Sequence, residues 1–231
     1  MRVVVVFSFF FFIVSFVAKS QLLSDENEKG KTDKMLLDFY HDNWIEGSGN
    51  LNVNWKSFGW GVSFMYDIPV NGVKNVSTAV GIGYGNHNVR VPSEVLIIDN
   101  SDTIVGGNYS ILSPISASRG ISKHKIATNY IDIPLELRFR SKTDQHGNQL
   151  KFTLGAKAGM LVNIHSKYFQ NGDKYKSYIF PNKNKWRYGA YFRFGYQRWT
   201  MYGYYSVSTL FNKDKGTSVN PISLGISFAI L

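Results

Sequence analysis

From Ser57 onward the chain repeats one pattern: large apolar residues at every second position, small or polar residues between them, then a turn. A period of two marks a strand with two unlike faces. The last segment is plainest, with Ile222, Leu224, Ile226, Phe228 and Ile230 alternating with Ser223, Gly225, Ser227 and Ala229. Between Ser57 and Tyr66, Phe58, Trp60, Val62, Phe64 and Tyr66 alternate with Gly59, Gly61, Ser63 and Met65. Val76, Thr78, Val80, Ile82 and Tyr84 do the same against Ser77, Ala79, Gly81 and Gly83. Between Leu150 and Ile164 the apolar face runs Leu150, Phe152, Leu154, Ala156, Ala158, Met160, Val162, Ile164. Lys151, Thr153, Gly155, Lys157, Gly159 and Asn163 fall opposite it. Tyr188, Ala190, Phe192, Phe194 and Tyr196 alternate with Arg187, Gly189, Tyr191, Arg193 and Gly195. From Trp199 to Leu210 aromatics fall on both faces, so that strand does not phase.

The stretch Tyr130 to Arg140 decides which face is outside. Ile131, Ile133, Leu135, Leu137 and Phe139 form one face; Asp132, Pro134, Glu136, Arg138 and Arg140 form the other. Carboxylates and guanidinium groups must meet water or pair with one another. In a soluble sandwich or lipocalin-like barrel the aromatic face would fill the interior, and a small barrel lacks that room. In a membrane barrel the apolar face meets lipid, and the small and charged residues line the lumen. The pattern therefore predicts an all-β, eight-stranded antiparallel transmembrane barrel of up-and-down topology.

Seven strands are counted from Ser57. The first is placed before them, between Lys34 and Trp44, where Leu36, Leu37, Phe39 and Tyr40 cluster although alternation is poor. Turn lengths support it. In bacterial barrels the inner turns are short, the outer loops long and the strand number even. Gln197-Arg198, Ser141 to Asn148 and Asp67 to Lys74 read as inner turns; Val91 to Lys123 and Phe169 to Lys185 read as outer loops. Trp55, Trp60, Tyr66, Tyr168, Trp186 and Trp199, near strand ends, suit interfacial girdles.

The N-terminus changes the address. Arg2 precedes an apolar run from Val3 to Val17, and Ala18-Lys19-Ser20 offers small residues at a cleavage site. That is a secretory signal, expected to be cut after Ser20. The run is short for a helix that must cross ~30 Å of hydrocarbon. Residues 1–20 are thus read as signal peptide, 21–33 as a polar periplasmic lead-in, and 34–231 as the barrel, located in a bacterial outer membrane.

Composition agrees. Charged residues make up 18% and aromatics 16% of the chain, with mean hydropathy −0.17, so apolar residues are spread rather than massed. The absence of cysteine excludes a disulfide framework, a thiolate metal site, a thiol nucleophile and a lipoprotein anchor. The net charge of +10 could signal nucleic acid. An exported chain has none to bind, and anionic surface lipid is the better partner.

Several segments resemble the PorT-like small outer-membrane barrels of Bacteroidetes. They are Asp38-Phe39-Tyr40-His41-Asp42-Asn43-Trp44, Phe64-Met65-Tyr66-Asp67-Ile68-Pro69, Gly81-Ile82-Gly83-Tyr84-Gly85-Asn86, and Asn129 through Arg138 in the stretch Asn-Tyr-Ile-Asp-Ile-Pro-Leu-Glu-Leu-Arg. The resemblance runs from about Lys34 to the end and implies the barrel fold. It also implies, by analogy alone, an accessory role in protein secretion. The chain departs from the usual aromatic C-terminal residue by ending Phe228-Ala229-Ile230-Leu231.

Candidate chemistry is sparse. Gly81-x-Gly83-x-Gly85 lacks the strand–loop–helix context of a phosphate loop. The five histidines are scattered; His41 lies near Asp38 and Asp42, which reads as polar pairing in a lumen rather than a metal site. No Ser, His and acid are nominated as a triad. Asp132, Glu136, Arg138, Lys157, Arg187 and Arg193 are expected in the lumen as a structural ion-pair network. Lys174, Tyr175, Lys176, Tyr178, Lys183 and Lys185 form a candidate extracellular binding loop. The expected protein is non-enzymatic, without cofactor or metal, envelope-structural or binding through its outer loops. Its expected partners are outer-membrane lipid and lipopolysaccharide, the barrel assembly machinery, and secretion-system proteins under the analogy. A lipid-modifying enzyme is the other alternative.

Overall fold

A computed structural model of the chain describes residues 34–46, 53–70, 75–91, 93–99, 108–114, 121–145, 148–213 and 215–230. The signal and lead-in expectations, 1–20 and 21–33, lie outside the described residues. Eleven strands follow in order: β1 (Met35–Glu46), β2 (Phe58–Pro69), β3 (Val76–Arg90), β4 (Ser93–Asp99), β5 (Asn108–Pro114), β6 (Ile121–Arg140), β7 (Leu150–Gln170), β8 (Asp173–Ser177), β9 (Trp186–Tyr196), β10 (Trp199–Ser206) and β11 (Val219–Ala229).

Eight of them close a ring in the order β1-β2-β3-β6-β7-β9-β10-β11, every pair antiparallel. β11 returns to β1 with Leu36 opposite Ala229 and Glu46 opposite Val219, so neither terminal barrel strand is left as an edge. The expected up-and-down barrel is the fold. β4 and β5 pair only with each other, and β8 folds back on the far end of β7. The two supposed outer loops therefore carry strands of their own. At the β7–β8 turn, Asn171 and Gly172 both take positive φ, 52° and 91°. Positive φ at both turn residues is the type I′ geometry that matches strand twist.

The alternation places side chains as expected. Leu135 is 57% exposed while its neighbour Glu136 is 5% exposed; Leu224 is 57% exposed while Ser223 is 1% exposed. β1 alternates too, with Leu36, Asp38, Tyr40, Asp42 and Trp44 buried inside. β10 resolves into Trp199, Met201 and Tyr205 outside and Tyr202, Tyr204 and Ser206 inside. Gly203 breaks the outer row, and the Phe192 ring of β9 lies over it, where a Cβ would otherwise sit. An aromatic covering a cross-strand glycine shields the bare backbone.

One expectation fails beyond Leu161. Asn129 pairs with Asn163, but Tyr130 pairs with Leu161, so Val162 is an extra residue. Such a bulge reverses the faces of everything after it. Ile164, expected toward lipid, is 4% exposed and packs in an apolar cluster; Asn163, expected in the lumen, pairs with Asn129 on the outer wall. Tyr168 likewise leaves the girdle and stacks on Tyr175 at 5.4 Å. His41 is the other correction: it lies on the outer face of β1 against Phe58, away from Asp38 and Asp42.

The interior is layered. At the end with short turns, Leu36, Met65, Ala79 and Ala229 form an apolar layer. At the end with long loops, Trp44, Val89, Ile126, Ile164 and Val219 from the barrel strands meet Leu112, Phe180, Leu210 and Phe211. Between the two lies a polar and aromatic middle.

Candidate functional site: the charged middle of the lumen

Side chains at every second position of β1, β3, β6, β7 and β9 converge here because their partners across the strands share a face. Two centres organise the middle layer. At the first, Arg187 donates from Nε to Asp132 Oδ1 at 3.1 Å and from Nη2 to Oδ2 at 2.7 Å. Lys157 Nζ lies 3.7 Å from the same carboxylate and donates to Tyr202 Oη at 3.0 Å. Its ammonium also sits 4.1 Å above the Tyr204 ring, and the Arg187 guanidinium 3.7 Å above Tyr130. Cations over aromatic faces are stabilised by the ring quadrupole.

The second centre is Glu136. It accepts from Arg138 Nε at 2.6 Å and from the Tyr191 hydroxyl at 2.8 Å, and pairs with Arg193. Arg193 reaches on to Asp38 at 2.9 Å. Below it, Asp67 is shared by Arg138 at 3.5 Å and by Arg140. All six lumen residues expected from the sequence are thus brought together.

Sequence reasoning missed Asp67, His87, Tyr40, Tyr202 and Tyr204; it put Arg140 and Tyr191 on the inward face without assigning them to the network, and read Asp38 and Asp42 as lumen partners of His41. The signal existed. Asp38, Tyr40 and Asp42 alternate, but Leu37 and Phe39 beside large inner residues hid the period.

His87 carries the closest approach to catalytic geometry. Its Nδ1 is 2.8 Å from Asp42 Oδ1, and Nε2 is 2.8 Å from Arg187 Nη1. Guanidinium only donates, so Nε2 accepts and the ring proton sits on Nδ1, held by Asp42. The nearby Ser223 hydroxyl donates to Asp42 at 2.7 Å, not to the histidine. A base for a nucleophilic serine needs its free nitrogen toward that hydroxyl; here that nitrogen is taken by arginine. Among the described residues, no group of histidine and acid side chains is arranged to hold a metal ion.

Acids and cations are paired: Asp38, Asp67, Asp132 and Glu136 meet Arg138, Arg140, Lys157, Arg187 and Arg193, Asp42 meets His87 and Ser223, and Lys151 is buried on the same inward face. Glycines make the room: a Cβ at Gly155 would overlap the Tyr191 ring, and one at Gly159 would overlap Asp132.

The candidate loop residues are not gathered into one site. Lys174, Tyr175 and Lys176 lie on β8 opposite Phe169, Tyr168 and Lys167. Lys176 sits 4.4 Å over Tyr178. Lys183 pairs with Phe211 and donates to the Phe180 carbonyl, while the Lys185 carbonyl accepts from Leu161.

Comparison with known proteins adds kinship. The solved structure of Ail, the attachment invasion locus protein of Yersinia pestis, in complex with the heparin analogue sucrose octasulfate, is similar at 14% identity and a TM-score of 0.33, over 84% of this chain and 95% of that one. No curated protein matches the chain. A family model described as outer membrane protein beta-barrel domain matches residues 19–212. That span takes in the barrel from β1 through β10, and the chain belongs to this family of outer membrane β-barrel proteins.

Proposed function

We propose that this protein is a non-enzymatic, non-conducting barrel of the bacterial outer membrane that strengthens the envelope and presents its long-loop end to the outside. The observation that carries this reading is the network of carboxylates paired with arginine and lysine inside the lumen. It is closed above and below by apolar layers. An eight-stranded barrel has an interior that side chains can fill, and here they fill it with paired charges. The lumen is a structural plug rather than a selectivity filter. The pair of His87 and Asp42 is committed to arginine and so supports no hydrolytic role. The N-terminal charge, apolar run and small-residue site support export with cleavage after Ser20. The motif residues from Asp38 to Trp44 and Asn129 to Arg138 support a place near the PorT-like barrels.

The test has two parts. Membrane-fraction protein, extracted in detergent, is run on gels with and without boiling. A mobility change on boiling, together with outer-membrane fractionation, is expected; a chain soluble without detergent overturns the reading. Folded protein in planar bilayers should then show no steps of conductance. Stable single-channel currents would refute the plug.

A further inference from the structure

The outer wall of β3, β6, β7 and β8 carries a row of like charges. Arg90 lies opposite Lys125, Lys125 opposite Lys167, and Lys167 opposite Lys176, one cation on each of four neighbouring strands. Directly opposed residues share a face, and like charges so placed destabilise a sheet. Three strand spacings of about 4.8 Å put the row at roughly 14 Å across. Arg90 and Lys176 are exposed, Lys125 and Lys167 half-buried. Among the described residues none of the four has a carboxylate within 4.0 Å.

Below the row the wall changes in steps. Asn86, Asn129 and Asn163 face one another across β3, β6 and β7. A chain of hydrogen bonds joins this rung to the cations. Lys125 Nζ donates to Asn88 Oδ1 at 2.9 Å, Asn88 Nδ2 to Asn86 Oδ1 at 2.5 Å, and Asn86 Nδ2 to Asn129 Oδ1 at 2.5 Å. Lower still, Tyr84, Ile131 and Met160 open the apolar band. The bulge at Val162 makes the alignment possible, because if Val162 were paired and the alternation ran on unbroken, Asn163 and Lys167 would point inward.

We infer that this wall holds a phosphorylated glycolipid of the outer leaflet: acyl chains on the apolar band, sugar and amide groups on the asparagine rung, phosphates on the cation row. The order apolar, amide, cation matches the order of groups in such a lipid along the membrane normal. Lysine and arginine stems can lie along the wall while their heads reach the phosphates. Charge-assisted bonds to phosphate relieve the repulsion that the bare row carries. The inference deepens the proposed function and rests on its placement of the long-loop end outside.

The full chain is folded into phosphatidylcholine vesicles, extracted in mild detergent with diphosphorylated lipid A, and bound lipid is followed by native mass spectrometry. Wild type should bind diphosphorylated lipid A and bind its phosphate-free form about tenfold more weakly, the order expected when charge-assisted phosphate contacts are lost. Lys125→Gln with Lys167→Gln should weaken binding about tenfold by the same contacts. Lys213→Gln with Lys215→Gln, an equal loss of charge on the β10–β11 connection, should leave it unchanged. Without lipid, the first double variant should unfold at a higher temperature than wild type, since repulsion has been removed; this also reports that it folds. Equal binding by the two double variants, indifference to the lipid phosphates, or equal capture of inorganic phosphate overturns the inference while the barrel stands. A chain that shows no heat-modifiable insertion refutes the membrane reading, and the inference falls with it.

Discussion

Arg187 of β9 grips Asp132 of β6 with both arms of its guanidinium, over Gly159 of the intervening β7, at 3.1 and 2.7 Å. Two parallel bonds fix orientation as well as charge. Removing one partner of a buried pair strands the other, at about 3–5 kcal/mol. Arg187→Ala should lose that much in urea titration of the detergent-folded barrel. Asp132→Asn with Arg187→Met should recover part of it, because the stranded charge is gone. A double variant no more stable than Arg187→Ala would show that the pair is not the unit that matters.

Glu136 and Leu137 are neighbours on opposite faces. Leu137→Ala exchanges one lipid contact for another, and lipid tails are as apolar as leucine. Glu136→Ala leaves Arg138 and Arg193 facing each other without their shared acid. The expected loss is about 3–5 kcal/mol for Glu136→Ala and much less for Leu137→Ala. Equal or reversed midpoints in urea would contradict the assignment of inside and outside.

Gly155 provides the space that Tyr191 occupies, and Tyr191 in turn donates to Glu136. Gly155→Leu should therefore sharply reduce the heat-modifiable form. Adding Tyr191→Ala should restore folding, with a residual loss of about 1.5–3 kcal/mol for the missing hydroxyl-to-carboxylate bond, Glu136 keeping Arg193. Failure of that second change to rescue would place the obstruction elsewhere.

The bulge gives a prediction about deletions. Removing Val162 leaves Leu161 inside, Asn163 outside and Ile164 inside, so every face is kept. Removing Ile164 turns the following residues over and drives Lys167 inward. A one-residue slip exchanges all faces. The Val162 deletion should fold and keep the protease resistance of its long-loop end, whereas the Ile164 deletion should lose it. Like behaviour of the two on limited proteolysis would argue against the pairing of Asn129 with Asn163.

Much of the barrel was legible because period two is a local signal, written wherever one face meets lipid and the other does not. β6 shows this best, with Asp132, Glu136 and Arg138 inside and four aliphatics outside. β1 was hard to read for a physical reason: Leu36, Tyr40 and Trp44 are large and point inward, so both faces look apolar. The inner tyrosines of β10 blurred that strand in the same way. The bulge had no local mark, since Met160, Val162 and Ile164 continue the alternation without a break; only pairing with β6 reveals the extra residue. Asn171-Gly172 was a missed sign, a dipeptide whose comfort at positive φ announces a hairpin. The candidate loop mixed residues by closeness in sequence, whereas the cation row depends on Arg90, Lys125 and Lys167, which pair across 35 and 42 positions of chain.

The seam between β1 and β11 also sets an order of events. Asp42 meets Ser223 across 181 positions of chain, and Arg193 meets Asp38 across 155. Loop closure of that length comes late. Until the last strand arrives, the first keeps an open edge that can pair with any other extended chain, and Asp42 lacks the Ser223 hydroxyl. The molecule therefore passes through export and insertion as an unfinished hoop, and its survival depends on whatever shields β1 until β11 fastens it.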